Sequence, residues 1–278
     1  MADEPRGAPI NDALHPLAPG PLIRIAHGAT TVAIAPQSGG RLAQVEHGGV
    51  EWLIGYGRDS SAAIAWGCYP MLPWAGRLRD SRFAFEGQRY QVPSNLGAHA
   101  IHGFGLALPW QVGAHAADCV ELSLQLPRND AWPFGGLAHQ RIEVGDGRLR
   151  LALSLTAEER ALPAVIGWHP WFRIPDRIEF SPEAMYPRDR EGIATLPPGR
   201  PSSGPWDDCF LVDEPVLVHH AGQRLRLSSD CHHWVLYDSI EHATCIEPQS
   251  GPPDGLNLEP RRIEAGASLQ AWFLWEWL

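Results

Sequence analysis

Hydrophobic and polar residues alternate over short stretches of this chain, and glycine or proline separates one stretch from the next. The plainest case is Arg148-Leu149-Arg150-Leu151-Ala152-Leu153-Ser154-Leu155. Its leucines all fall on one face, the period-two mark of a half-buried antiparallel strand. Gly145-Asp146-Gly147 joins it to Arg141-Ile142-Glu143-Val144. The same design recurs where residues 22–26 and 30–35 flank Gly28, and where 216–218 and 224–227 flank Gly222. Residues 82–85 and 88–92, about Glu86-Gly87, read as a hairpin with its glycine in the turn. Trp234-Val235-Leu236-Tyr237-Asp238 is β-branched and aromatic, so it reads as a buried strand. Residues 269–277 are apolar at nearly every position, which predicts a strand buried on both faces. There is no long amphipathic helical pattern and no repeat of fixed period. The pattern predicts an all-β sandwich or barrel. No break in composition divides residues 21–278, which reads as one domain, and residues 1–20, rich in Pro, Ala and Gly, read as a loose arm.

Composition narrows the function more than the fold. With 278 residues, 44% hydrophobic and 19% charged, the chain can bury a sizeable core. A formal charge of −10 disfavours nucleic acid or an anionic membrane as partner, since phosphates require cationic neutralisation. No apolar run is long enough to span a bilayer. The first residues lack the basic-then-apolar pattern of a secretory signal, so the expected compartment is the cytoplasm. Five scattered cysteines without a CxxC pair read as free buried thiols, not as a disulfide frame or zinc knuckle. The chain contains no lysine, which excludes Schiff-base chemistry, pyridoxal phosphate attachment and a P-loop. The pairs His219-His220 and His232-His233 invite a metal reading. Neighbours on a strand diverge, however, and Cys231-x-His233 does not complete a tetrahedral set.

Several polar residues stand in surroundings too apolar or too kinked for ordinary surface. In Cys245-Ile246-Glu247-Pro248-Gln249-Ser250-Gly251-Pro252-Pro253-Asp254, three prolines follow Glu247 closely. They predict that the strand ends there and presents Glu247 from a stiff turn, as a base or as a solvated loop acid. Arg77, after Gly76 and near Trp74, offers a planar fork suited to vicinal hydroxyls or a carboxylate, or else an ion pair with Asp80 or another acid. His102 precedes Gly103-Phe104-Gly105, where a ligand could approach the backbone; a hydrogen-bonded structural histidine is the plainer reading. His169 lies in Trp168-His169-Pro170-Trp171, a stiff aromatic wall that could be core packing or a sugar-stacking surface. Its imidazole titrates near neutrality, as a proton donor must. Asp207 and Asp208 are adjacent, so on an extended segment only one can face a given pocket.

Taken in order, these pieces resemble the aldose 1-epimerase (galactose mutarotase) family. The resemblance runs from Gly39-Gly40-Arg41-Leu42 to the terminal strand through Gly76-Arg77-Leu78-Arg79-Asp80, Ile101-His102-Gly103, Trp168-His169-Pro170-Trp171-Phe172, Trp206-Asp207 and the Glu247 segment. It implies a large antiparallel β-sandwich, the galactose mutarotase-like supersandwich, with a sugar cleft. It implies that Glu247 is the general base, that His169 is the general acid, and that Arg77, His102 and Asp207 hold the sugar. A small aldose is then the expected partner, with no cofactor and no metal, acting on a monomer or homodimer. Two departures bear on substrate: Gly76 stands where the family often has Asn, and Pro170-Trp171-Phe172-Arg173 replaces a tyrosine-phenylalanine-asparagine run. Two other functions compete. One is glycoside hydrolysis by Glu247 and Asp207 as a carboxylate pair, and the other a non-catalytic carbohydrate-binding or sugar-sensing module.

Overall fold

The computed structural model describes residues 12–57 and 60–278. Two large antiparallel sheets dominate it. The first runs Ile23–His27, Thr30–Ala35, Arg41–His47, Cys68–Met71, Gly167–Phe172, Thr244–Gln249, His233–Tyr237, Asp207–Leu211 and Ala184–Met185, with Val50–Glu51 beside Arg41–His47. The second runs Gln111–His115, Cys119–Gln125, Leu137–Gly145, Arg148–Thr156, Ser268–Trp277, Gln223–Ser229, Val216–His220 and Arg177–Glu179. The core between them takes one face of each: Trp168 meets Phe273, and Phe172 meets Trp275. The one α-helix of the described residues is the single turn Gly255–Leu258. This is the all-β antiparallel architecture that the alternation predicts.

The hairpins fall where their turn residues place them, at Ile23–His27/Thr30–Ala35, Arg82–Phe85/Gln88–Gln91, Leu137–Gly145/Arg148–Thr156 and Val216–His220/Gln223–Ser229. Three expectations need correction. The terminal strand buries alternate residues only: Leu269, Ala271, Phe273 and Trp275 are interior, while Trp272, Leu274 and Glu276 are half-exposed. Large apolar side chains on the outer face hide the period-two signal there. The strand carrying Glu247 does not end at it but continues through Pro248 to Gln249. The third concerns the arm. Residues 1–11 lie outside the described residues, but residues 12–20 are pinned: Ala13 and Leu17 N–H donate to the carbonyls of Asn95 and Ser61, and His15 and Ala13 accept from Ala63 and Ile64.

One glycine position is set by close packing. Gly103 has φ +71°, and a Cβ there would lie 2.0 Å from the Leu72 carbonyl oxygen. Gly87 has a similar φ of +75° but open space around it. Gly87→Ala should therefore cost only about 1–2 kcal/mol of backbone strain. Gly103→Ala should cost at least about 3 kcal/mol, since backbone must also move. Urea midpoints at constant slope distinguish the two.

Candidate active site

The side chains facing the cleft are set by register. Across the first sheet Cys209 pairs with Val235, Val235 with Glu247, and His169 with Tyr69. Gly167 pairs with Gln249 and Trp171 with Cys245, so His169 stands directly opposite Glu247. Between those two rungs the ladder is interrupted, and Pro170 and Pro248 both lie in the interruption. A proline has no N–H to give to a ladder, so the strands lose pairing where the two polar side chains face each other. Opposed Cβ atoms sit close enough for direct contact, and His169 Nε2 is 3.1 Å from Glu247 Oε1. The next row over is Asp207, Tyr237, Cys245 and Trp171.

A small two-stranded sheet, Arg77–Leu78 with Ala100–Ile101, brings in the other groups. His102 follows it in the left-handed region at φ +58°. Its N–H donates to the Gly76 carbonyl, and its Nδ1 accepts from the Gly76 N–H at 3.2 Å. An accepting Nδ1 fixes the ring hydrogen on Nε2. His102 meets His169 edge-on at 4.9 Å, and burial, with His169 and Arg77 nearby, holds its pKa well below the ordinary 6.5.

His169 Nε2, Glu247, Arg77, His102 and Asp207 all line one cavity of about 370 Å³, within the usual range for a small-molecule site. Its remaining wall is largely apolar, with Ile64, Leu96, Ile101 and Ile240 among the lining residues. The structure thus brings together all five residues singled out from the sequence. It also adds Arg188, whose Nη1 is 2.9 Å from Asp207 Oδ2 and whose Nε is 2.7 Å from Asp208 Oδ1. Arg77 Nη1 reaches the same Asp207 oxygen at 3.7 Å, and only Asp207 of the two acids lines the cavity. Arg188 sits in Pro187-Arg188-Asp189-Arg190-Glu191, a charged run indistinguishable from surface in the sequence.

The remaining candidates have partners elsewhere. Arg79 pairs with Asp189 and Glu191, and Arg173 with Glu51. His219 bonds Glu179, His220 packs on Trp52, His232 bonds Asp213, and His233 bonds Tyr186. His169 Nε2, Cys245 Sγ and a Glu247 oxygen do lie within 4.8 Å of one another. Burial raises the Cys245 thiol well above its ordinary 9.0, however. The imidazole and carboxyl face each other at 3.1 Å, so the donors read as an acid–base pair. Gly76 also has a local reason: at φ +67° a Cβ would lie 2.5 Å from Pro253 Cβ. The cleft thus closes Pro253 onto the position where the family often carries Asn.

Burial controls the charges of the pair. It pushes Glu247 well above the ordinary 4.5, Asp207 adding to the rise and Arg77 opposing it. It pulls His169 down from 6.5 to about 3. Both groups lean to their neutral forms, so the pair carries one exchangeable proton, on the carboxyl, with Nε2 3.1 Å from Oε1. Its titration belongs to the pair, not to either residue.

A cleft in the face of a large antiparallel sheet, with a buried imidazole–carboxyl pair ringed by arginine, histidine and aspartate, sits here in an all-β sandwich. The sequence profile of the aldose 1-epimerase family matches residues 21–271, and the chain belongs to that family. It is 29% identical over 139 residues to Escherichia coli K12 YphB, covering 48% of this chain and 46% of that protein. A second match, to YihR of the same organism, is 29% over 106 residues, covering 36% of this chain and 34% of that protein. The matched stretches thus span less than half of each of those relatives. Among solved structures, a provisionally assigned aldose 1-epimerase of E. coli K12 superposes with TM-score 0.80 at 20% identity, covering 93% of this chain and 99% of that one. Galactose 1-epimerase of Lactobacillus acidophilus gives 0.74 at 16%, covering 92% and 94%. At these identities the structural likeness is one of fold.

The pair makes a signed prediction for stability. Between about pH 3 and 6.5 the unfolded chain binds a proton at His169 that the folded chain does not, so this group makes stability rise with pH. Above pH 4.5 the folded chain keeps a proton on Glu247 that the unfolded chain has lost, so this group makes stability fall with pH. Relative to wild type, His169→Asn should lose urea stability as pH rises from 4.5 to 6.5, and Glu247→Gln should gain it.

Proposed function

We propose that this protein interconverts the α and β anomers of an aldose. Anomer exchange needs a proton taken from the C1 hydroxyl and one given to the ring oxygen. Rotation about C1–C2 in the open chain, then closure with the transfers reversed, completes it. The observation that carries the reading is the 3.1 Å contact between His169 and Glu247 inside the cavity. That pair holds one proton and has one vacant basic site, the inventory the reaction requires. In the proposed cycle Glu247 is the base and His169, as imidazolium, the acid. Sugar hydroxyls entering the cleft, with Arg77 already favouring the ionised carboxylate, draw the proton across to Nε2. Arg77, His102 Nε2–H and Asp207 supply a fork of donors, a single donor and an acceptor for the remaining hydroxyls. The class of enzyme is an isomerase acting on carbohydrate. No cofactor enters the cycle.

Hydrolysis by a Glu247–Asp207 pair has less support. Asp207 is engaged by Arg77 and Arg188, whereas the nearest partner of Glu247 is an imidazole. A pure binding module has no use for a buried proton pair.

Polarimetry on fresh α-aldoses tests the reading. Glu247→Gln and His169→Asn should each lower kcat by about 10²–10⁴-fold with a small change in KM, because each acts in the transition state. Near-full turnover in either variant refutes the assignment, and reducing sugar released from an aryl glycoside would favour hydrolysis instead. The pH profile of kcat/KM should be bell-shaped, because activity needs one proton on the pair. Its acid limb should lie below the ordinary imidazole value of 6.5, and its alkaline limb above the ordinary carboxyl value of 4.5.

A further inference from the structure

His169 lacks the usual device for orienting a catalytic histidine. Its Nδ1 is buried and, among the described residues, finds no hydrogen-bond partner of acceptable geometry, its own carbonyl included. The ring is held by stacking instead: Tyr69 lies 4.8 Å away at 27° on one side, and Trp171 lies 5.3 Å away at 14°. Behind Tyr69 stands a charge. Leu42 pairs with Cys68, so Arg41 falls opposite Tyr69 and continues the row Glu247, His169, Tyr69 by one strand. Its guanidinium lies 4.9 Å from the Tyr69 ring centroid and 4.3 Å from that of Trp66.

Arg41 is fully buried, and among the described residues no carboxylate is within ion-pair distance of it. It donates to three main-chain carbonyls, Ser38 at 2.7 Å, Trp66 at 3.0 Å and Leu106 at 2.7 Å. Burial lowers its pKa to about 9, which leaves it cationic at neutral pH. A neutral amide has two N–H groups and could hold only two of these carbonyls, so the fork accounts for the residue type. Its charge is nevertheless buried without a counter-ion among the described residues, which is costly, and it stands in one row with His169.

We propose that Arg41 is a positioning residue for His169, a fixed cation that acts through the interposed Tyr69 ring. The inference rests on the acid–base reading of His169. A guanidinium occupying one face of Tyr69 uses the ring's electron-rich quadrupole, which would otherwise stabilise an imidazolium on the other face. The same charge repels an imidazolium directly. Arg41 therefore makes protonated His169 a stronger acid toward the ring oxygen, and by fixing the Tyr69 ring it fixes the surface on which His169 stacks. The other groups facing His169 are Glu247 across the strand gap, His102 edge-on, the Cys245 thiol and the Trp171 ring. Of the charged side chains, Arg77 and Asp207 act on Glu247.

The test is an NMR titration of the His169 imidazole, assigned by its loss in His169→Asn, read beside the pH profile of kcat/KM. In Arg41→Gln the His169 titration and the acid limb should both move up by on the order of one pH unit, whereas Arg41→Lys should restore both toward wild type. A folded Arg41→Gln protein whose His169 titrates as in wild type overturns the proposal and leaves Arg41 a structural pin. Should Arg41→Gln fail to fold, Tyr69→Leu with the cation retained takes its place. It should lower kcat about tenfold or more at unchanged KM and move the titration down, with Tyr69→Phe restoring both. No change in either overturns the proposal. A shifted titration in a protein that never accelerates anomer exchange would sink the proposed function while leaving the Arg41–His169 coupling standing.

Discussion

The cleft depends on one contact taken out of water, between an imidazole and a carboxyl 3.1 Å apart across a gap in a sheet ladder. Neither group would be stable there as a lone ion, because burying an unpaired charge is far more costly than shifting its proton. Paired at 3.1 Å they remain neutral together and keep a single mobile proton. That neutrality is what allows the sheet to carry them in its middle, next to apolar neighbours such as Val235 and the Trp171 ring. It also means that little rearrangement separates the resting pair from the ion pair the proposed reaction uses, since the two atoms are already 3.1 Å apart.

The two prolines make this geometry possible. Pro170 and Pro248 flank the facing residues on opposite strands, and the ladder is unpaired over that stretch. In a continuous ladder each strand would have to satisfy backbone donors there. With those donors removed, the local strand separation can follow the side-chain contact. Pro248, which in the sequence suggested the end of a strand, is therefore better understood, together with Pro170, as a built-in gap in strands that carry on.

How much of this was legible follows from how local each feature is. The hairpins at Gly28, Gly87, Gly147 and Gly222 depend on a turn and the alternation beside it, and both are written within a dozen residues. Glu247, His169, Arg77, His102 and Asp207 stand out because each interrupts an apolar or strained context, and an ordered resemblance joined them. Arg188 offered no such contrast, being one charge in a charged run; only the fold shows it bridging Asp207 and Asp208. Arg41 was visible only as part of the stretch where the resemblance begins, with no role attached, and Tyr69 was silent. Their significance lies in register, which puts residues from three separate strands in one row with His169. The terminal strand misled for the opposite reason, since Trp272 and Leu274 are apolar yet half-exposed on the outer face.

The distribution of charge around the cleft has its own logic. Asp207, its pKa raised by burial, is compensated by Arg77 and Arg188 at the wall, and the cation under the floor is screened from the cavity by an aromatic ring. What faces a ligand is therefore close to electroneutral but strongly polar at one end, with aliphatic side chains at the other. A neutral polyhydroxy ring fits such a surface, because its hydroxyls replace water at the fixed donors and acceptors without a net charge being desolvated. A strongly anionic ligand would have to compete with Asp207 and Asp208 for guanidiniums that already have partners. The closing of Pro253 over Gly76 trims that polar end further, removing room for a side chain where one more hydrogen bond could have been made. For the proposed reaction, selectivity among aldoses would then fall to shape at the aliphatic side chains, where each methylene of misfit discriminates only modestly.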